Sequence, residues 1–210
     1  MNLTFRTATA EDSDLLADLV VGPPGGEGRR VTAAVFGINN SERLRPLFRR
    51  SWRDAENWRQ CEVLLADGEP AGAFQSGPSP MKITLGLVLV AIRVLGLRAP
   101  RMPARLRILD SVTPRKPDGA YIISEIQVAK EYRDRGLGTK MMARAEEQAR
   151  AGGYAVMALH TRTNNPARRL YERCGYEAAG EATDSEFERL TGVAGNVLYV
   201  KRLGESAPVS

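Results

Sequence analysis

"AYIISEIQVAKEYRDRGLGTKMMARAEEQARA", Ala120 to Ala151, is the stretch on which the fold turns. Ala120 to Ala129 is apolar and rich in β-formers, as a strand is. Leu137 to Ala151 has helical periodicity and is closed by Gly152-Gly153. Between them, Arg133 and Arg135 stand just before Gly136 and Gly138. A helix start has four unpaired N–H groups and roughly half a positive charge from its dipole. Glycine lets a ligand approach those donors closely, so strand, basic turn and helix together make an anion site. Thr139 adds a hydroxyl. The string matches neither GxxxxGK[ST] nor GxGxxG followed by an acid for ribose. Taken alone, the string is a weak signal and reads more readily as an ordinary basic turn.

Upstream, Leu3 to Arg6 alternates as a short strand, and Thr9 with Asp12 has the spacing of a capping box. Leu15, Leu16, Leu19 and Val20 form one apolar face of the helix that follows, and "GPPGGEG" breaks it. Val31 to Ile38 and Ser41 to Trp52 read as two more helical pieces, with Arg43, Arg45, Arg49, Arg50 and Arg53 on a solvated face. "CEVLLADGEPAGAF" is a hairpin about Asp67-Gly68. Residues 77 to 119 interrupt the pattern with one or two amphipathic helices between prolines. Downstream, "YAVMALHT" is a strand and "NNPARRLYERCGY" a short helix with a cap, an early proline and a closing glycine. Two last strands run near Tyr176 to Glu181 and Asn196 to Leu203. The order is that of a mixed α/β domain.

The chain's 210 residues suit one domain with a core and one insertion. With 43% hydrophobic and 26% charged residues it has the composition of a globular protein. The net charge of +5 favours anionic partners without choosing among them. Cys61 and Cys174 lie far apart and a single histidine, His160, is present, so neither a disulfide framework nor a His-rich metal site is expected. A reducing cytoplasm fits best. "KITLGLVLVAIRVLGLRAP" is interrupted by Arg93, short of the about 20 apolar residues that a spanning helix needs. Neither a membrane nor nucleic acid is expected as a partner.

From Ser124 to Gly180 the agreement with one pattern is ordered. Ile126-x-Val128 ends a strand, Arg133-x-x-Gly136-x-Gly138 follows, and after a helix and strand comes Asn164-x-x-Ala167-x-x-x-Tyr171-x-x-x-Gly175-Tyr176. Here the chain resembles the GNAT superfamily of acyl-CoA-dependent N-acyltransferases, over most of its length outside about residues 77 to 119. The resemblance implies one domain over residues 1–205, with 206–210 a tail. It implies a mixed, mostly antiparallel sheet, flanked by helices and splayed between strands 4 and 5. The helical insertion then falls between strands 3 and 4. The cofactor it implies is acetyl-CoA, with no metal. Ile126, Gln127 and Val128 would hold the pantetheine arm, and Arg133, Asp134, Arg135, Gly136, Leu137, Gly138 and Thr139 the pyrophosphate. Asn164 and Tyr171 would lie near the thioester. Asp134 and Lys130 depart from the small residue and the proline common at those places.

The reaction implied is direct attack of a primary amine, on a small molecule or a protein, upon the thioester in a ternary complex. Tyr171 matches the position of a general acid to sulfur; packing alone is the other reading of it. Val128 N–H is the implied oxyanion donor. The base stays open. Ile122 and Ser124, where the family often carries a base, offer none. Glu125 is a candidate, although strict strand alternation aims it at the opposite face. His160, with an ordinary pKa near 6.5, is another, and a water chain would also serve. The missing carboxylates leave a non-catalytic acyl-CoA sensor as the alternative. The insertion would be a lid over the acceptor, a surface embellishment or a homodimer contact. Trp52 and Trp58 read as core or groove wall, and Cys174 as a small buried group rather than a nucleophile.

Overall fold

The computed structural model describes residues 1–21, 27–38, 40–53, 55–78 and 85–204. The "GPPGGEG" break and the 206–210 tail lie outside them or nearly so, Glu27 and Gly28 already opening a helix. In chain order come β1 (Leu3–Thr7), α1 (Ser13–Val21), α2 (Glu27–Phe36), α3 (Arg45–Ser51), α4 (Ala55–Trp58), β2 (Cys61–Ala66) and β3 (Glu69–Gly77). The insertion supplies α5 (Leu85–Leu95) and α6 (Met102–Ser111). Then follow β4 (Tyr121–Val128), α7 (Leu137–Ala151), β5 (Val156–Arg162), α8 (Arg168–Arg173), β6 (Glu177–Thr183), α9 (Ser185–Thr191) and β7 (Gly195–Arg202).

The seven strands form one sheet in the order β1-β2-β3-β4-β5-β7-β6. Every pairing is antiparallel except β4 with β5. That parallel pair joins Tyr121 to Met157, Ile122 to Ala158 and Ile123 to Leu159, and then ends. Beyond it, β4 stays on β3 as far as Gly72 opposite Val128, while β5 stays on β7 as far as Arg162 opposite Asn196. The sheet is therefore splayed at its centre, between strands 4 and 5, with the insertion between strands 3 and 4.

Local chemistry accounts for the elements. Thr9 N–H donates to Asp12 Oδ2 at 2.7 Å, the reciprocal half of the box that starts the first helical turn. Asp67 (φ 51°) and Gly68 (φ 90°) are both left-handed, as a two-residue turn between twisted strands requires. α9 was not foreseen between the last two strands. Its signals are Asp184, whose carboxylate accepts from Phe187 N–H at 2.8 Å, and the left-handed Gly192 that closes it.

Two layers of helix cover the sheet. On one face Leu137, Met141, Met142, Ala145 and Ala149 of α7 pack on Leu64, Phe74, Tyr121 and Ile123. Truncating a methionine there, Met141→Ala, should cost about 2–5 kcal/mol. Two polar clamps set the position of α7. Glu62 of β2 accepts from Arg144 Nε at 2.9 Å and from Gln148 Nε2 at 2.7 Å. Lys201 Nζ of β7 donates to Glu146 and to the Cys174 carbonyl, each at 2.7 Å. On the other face, Leu16, Ala33, Leu47, Phe48 and Trp52 pack with Leu95 of the insertion over Cys61, Val63 and Ala73. Trp52 is core and Trp58 packs against the same cluster. The arginine run is only partly a solvated face: Arg45 and Arg49 turn to α1, at 3.0 Å from Asp18 and 2.9 Å from Asp14.

Candidate active site

A cavity of about 730 Å³ occupies the splay. One side is the segment that joins β4 to α7. Left-handed Asp134 (φ 59°) and Gly136 (φ 75°) turn the chain into the helix. Asp is among the few side chains that tolerate that backbone, which accounts for its standing where a smaller residue is usual. The first helical bond runs from Lys140 N–H to Gly136 O at 3.3 Å. The N–H groups of Leu137, Gly138 and Thr139 ahead of it take no protein acceptor among the described residues. A Cβ on Gly136 would meet only open space, so backbone conformation, not crowding, asks for glycine there. Gly138 differs. A Cβ on it would come within 2.8 Å of Leu170 Cδ2, so this glycine lets α8 approach α7. Arg133 Nε donates to Val128 O at 3.2 Å and Arg135 lies over the Tyr132 ring.

β4 carries the decisive irregularity. Gln75 pairs with Glu125 but Ser76 pairs with Ile123, so Ser124 is an extra residue in β4. The bulge shifts the alternation by one. Tyr121 and Ile123, then Ile126 and Val128, pack toward α7. Ile122 packs with Ala158 on the opposite face, and Glu125 and Gln127 fall on that face with it. The expectation that alternation would turn Glu125 away from Ile122 is corrected: the bulge puts the two on one face, and Glu125 lines the cavity. Desolvation pushes its half-buried carboxyl up to about 8, and the charge of Arg162 offsets only part of that.

His160 and Arg162 of β5 line the same side, with Gly28 and Thr32 of α2. His160 Nε2 lies 2.6 Å from Pro114 O. A carbonyl can only accept, so Nε2 carries the proton of the neutral ring and Nδ1 alone can act as a base. Burial lowers the His160 pKa. On the α7 side, Tyr171 of α8 is buried, and desolvation pushes its hydroxyl up to about 12 against the opposing hydrogen bond of Thr161. Asn165 Nδ2 donates to Thr161 Oγ1 at 2.7 Å. Thr161 thus links Asn165 to the Tyr171 hydroxyl.

The cavity therefore collects Ile126, Gln127, Val128, Arg133, Asp134, Gly136, Leu137, Gly138, Thr139, Glu125, His160 and Tyr171. Arg135 and Asn164 are not among its walls; Asn165, the next residue, is. Sequence reasoning missed Arg162, Thr161, Asn165, Arg173 and the α2 contribution. The period-2 pattern of "YAVMALHT" carried a signal for Arg162, which falls on the His160 face. Nothing in the sequence ties α2 to the cavity. None of the described insertion residues lines it. They brace it instead: Arg105 donates to Ala34 O of α2, and Asn196 Nδ2 donates to Val112 O at 3.0 Å. No three His, Cys, Asp or Glu side chains cluster as a metal site among the described residues.

Residues 36–176, more than half of the chain, match the Acetyltransferase (GNAT) family. The chain belongs to that family. Solved structures of GNAT acetyltransferases share its fold at low identity. Arylalkylamine N-acetyltransferase 2 from Aedes aegypti has a TM-score of 0.64 at 17% identity, over 96% of this chain and 99% of that one. An N-acetyltransferase from Staphylococcus aureus has 0.58 at 17%, over 94% and 100%. The PaiA N-acetyltransferase from Thermoplasma acidophilum, in complex with coenzyme A, has 0.54 at 13%, over 97% and 100%. No curated protein sequence matches the chain. The GNAT match spans α3 through α8, and so takes in both the insertion and most of the cavity wall.

Proposed function

We propose that the protein is an N-acetyltransferase that moves an acetyl group from acetyl-CoA to a primary amine by direct attack in a ternary complex. The observation that carries this is the position of Glu125. A carboxylate raised toward working pH stands in a cleft whose other side offers the unpaired N–H groups of Leu137, Gly138 and Thr139.

Those donors and the Gly136 turn fit a pyrophosphate, with Arg133 and Arg173 adding charge nearby. Ile126 to Val128 present an unpaired strand edge to the splay, which suits an extended amide-bearing arm. Acetyl-CoA supplies an activated acyl thioester; the chain supplies geometry and protons. Glu125 takes the proton of the attacking amine. Its raised pKa makes it a stronger base than an ordinary carboxylate while still ionisable near neutrality. His160 is the weaker candidate, since burial lowers it and its Nε2 is committed to Pro114. Tyr171 keeps its proton at working pH and holds it for the departing sulfur, oriented by the Asn165–Thr161 pair.

Acetyl-CoA should raise the thermal midpoint, as any ligand selective for the folded state does. An amine panel followed by free-thiol release should then find an acceptor. No shift at saturating acetyl-CoA overturns the cofactor assignment. A shift with no turnover on any amine would turn the reading into that of a sensor.

A further inference from the structure

Among the described residues, the large apolar side chains left in solvent fall, Met1 aside, in the insertion. Val88, Leu89 and Ile92 of α5, Leu97 just after it and Leu106 of α6 are all exposed, with Leu89 at 60%, Ile92 at 53% and Leu97 at 97%. α5 is divided lengthwise. Val90, Ala91, Val94 and Leu95 pack inward on the cluster that holds Leu47, Phe48 and Trp52. Val88, Leu89 and Ile92, spaced as one helical face, point away from it, with exposed Arg93 one turn beyond Leu89.

Charge supplies a second, independent observation. From Pro70 to Leu109 the chain has no Asp or Glu, whereas it carries Lys82, Arg93, Arg98, Arg101, Arg105 and Arg107. Arg105 is engaged with Ala34 O, and Arg93, Arg101 and Arg107 are exposed. An apolar helical face on a segment that carries cations and no acid of its own matches a surface that is both greasy and negative.

We infer that the insertion docks the protein on an anionic phospholipid bilayer. α5 lies flat in the interface, with Val88, Leu89 and Ile92 among the acyl chains and the arginines on headgroup phosphates. It cannot span, for its 11 residues reach about 16 Å against roughly 30 Å of hydrocarbon. No described helix is long and apolar enough to cross a membrane. A second copy is a poorer occupant, because two such segments would bring arginines together with no acid of their own to pair them. Nucleic acid would answer the arginines but leave the aliphatic face in water. This proposal departs from the expectation of no membrane partner, on grounds that do not depend on acetyl transfer.

The full chain would be sedimented with vesicles of phosphatidylcholine alone and of phosphatidylcholine mixed with phosphatidylglycerol. It should pellet with the mixed vesicles, far less with the neutral ones, and less again as salt rises. Leu89→Asp with Ile92→Asp should weaken partitioning at least about tenfold. Arg93→Gln and Arg101→Gln should each weaken it about fivefold. All four positions are exposed, and an unchanged circular dichroism spectrum and Tm would confirm that each variant folds. Equal binding to neutral vesicles, or no loss in the apolar double variant, overturns the proposal. So does lipid-free self-association that the double variant abolishes, which would assign the face to a second copy.

Discussion

One wall of the cleft, from Val128 through Thr139, is a single continuous segment. The facing wall collects Gly28 and Thr32 from α2, Glu125 past the bulge of β4, and His160 and Arg162 from β5. The first wall is built largely from backbone: left-handed turns and N–H groups that a helix start leaves unpaired. The second is built from side chains that distant segments bring together. A backbone site can be written in a short string of residue types, whereas a side-chain site needs the whole sheet to assemble it. The two walls should therefore fail in different ways.

The largest effect is expected at the first wall. Gly136→Val places a β-branched residue at φ 75°, which distorts the turn. The stabilisation by acetyl-CoA, about 2.7 kcal/mol at a hundredfold excess over Kd, should vanish together with turnover. If thermal-shift titration still shows it, the cradle is elsewhere. Glu125→Gln should do the reverse and leave that shift intact while lowering kcat by about 10²–10⁴. The wild-type rate should climb with pH toward about 8, a limb that the variant should lack. A pH–rate profile that keeps the limb would move the base to His160 or to water. Tyr171→Phe should lower kcat by about 10–100-fold with little change in acetyl-CoA binding; unchanged single-turnover rates would leave Tyr171 a packing group.

The smallest effect is on stability. The Glu125 carboxyl is raised from an ordinary 4.5 to about 8 in the folded state. Between those values the unfolded chain has lost a proton that the folded one retains, so stability falls as pH rises through that window. Glu125→Gln should remove the fall, a change on the order of 1 kcal/mol after solvent screening. Parallel Tm curves for the two proteins across the window would separate desolvation of Glu125 from any effect of the first wall.

The same division explains what was legible. The hairpin at Asp67-Gly68, the span of α7 and the strand–turn–helix order are local, and the residues that cause them are adjacent in the chain. Gly136 was legible as a turn glycine, but its reason, a left-handed backbone at φ 75°, appears only in the structure. Gly138 was legible only as a glycine, because the contact that demands it comes from Leu170, on a helix 32 residues away. The face of Glu125 was misread because a bulge at Ser124 changes alternation without changing residue types. Arg45 and Arg49 read as solvated because their partners, Asp14 and Asp18, belong to another helix.

By itself, then, the sequence determined the elements around the turn, the glycine-containing helix start and the family resemblance that those motifs carry. These rest on backbone conformation and helix ends, which nearest neighbours set. Only the tertiary structure decided which side chains line the cavity, that Glu125 shares a face with Ile122, and which side of α5 remains in solvent. Each of those depends on strand register and on desolvation by residues far away in the chain, and composition does not record either.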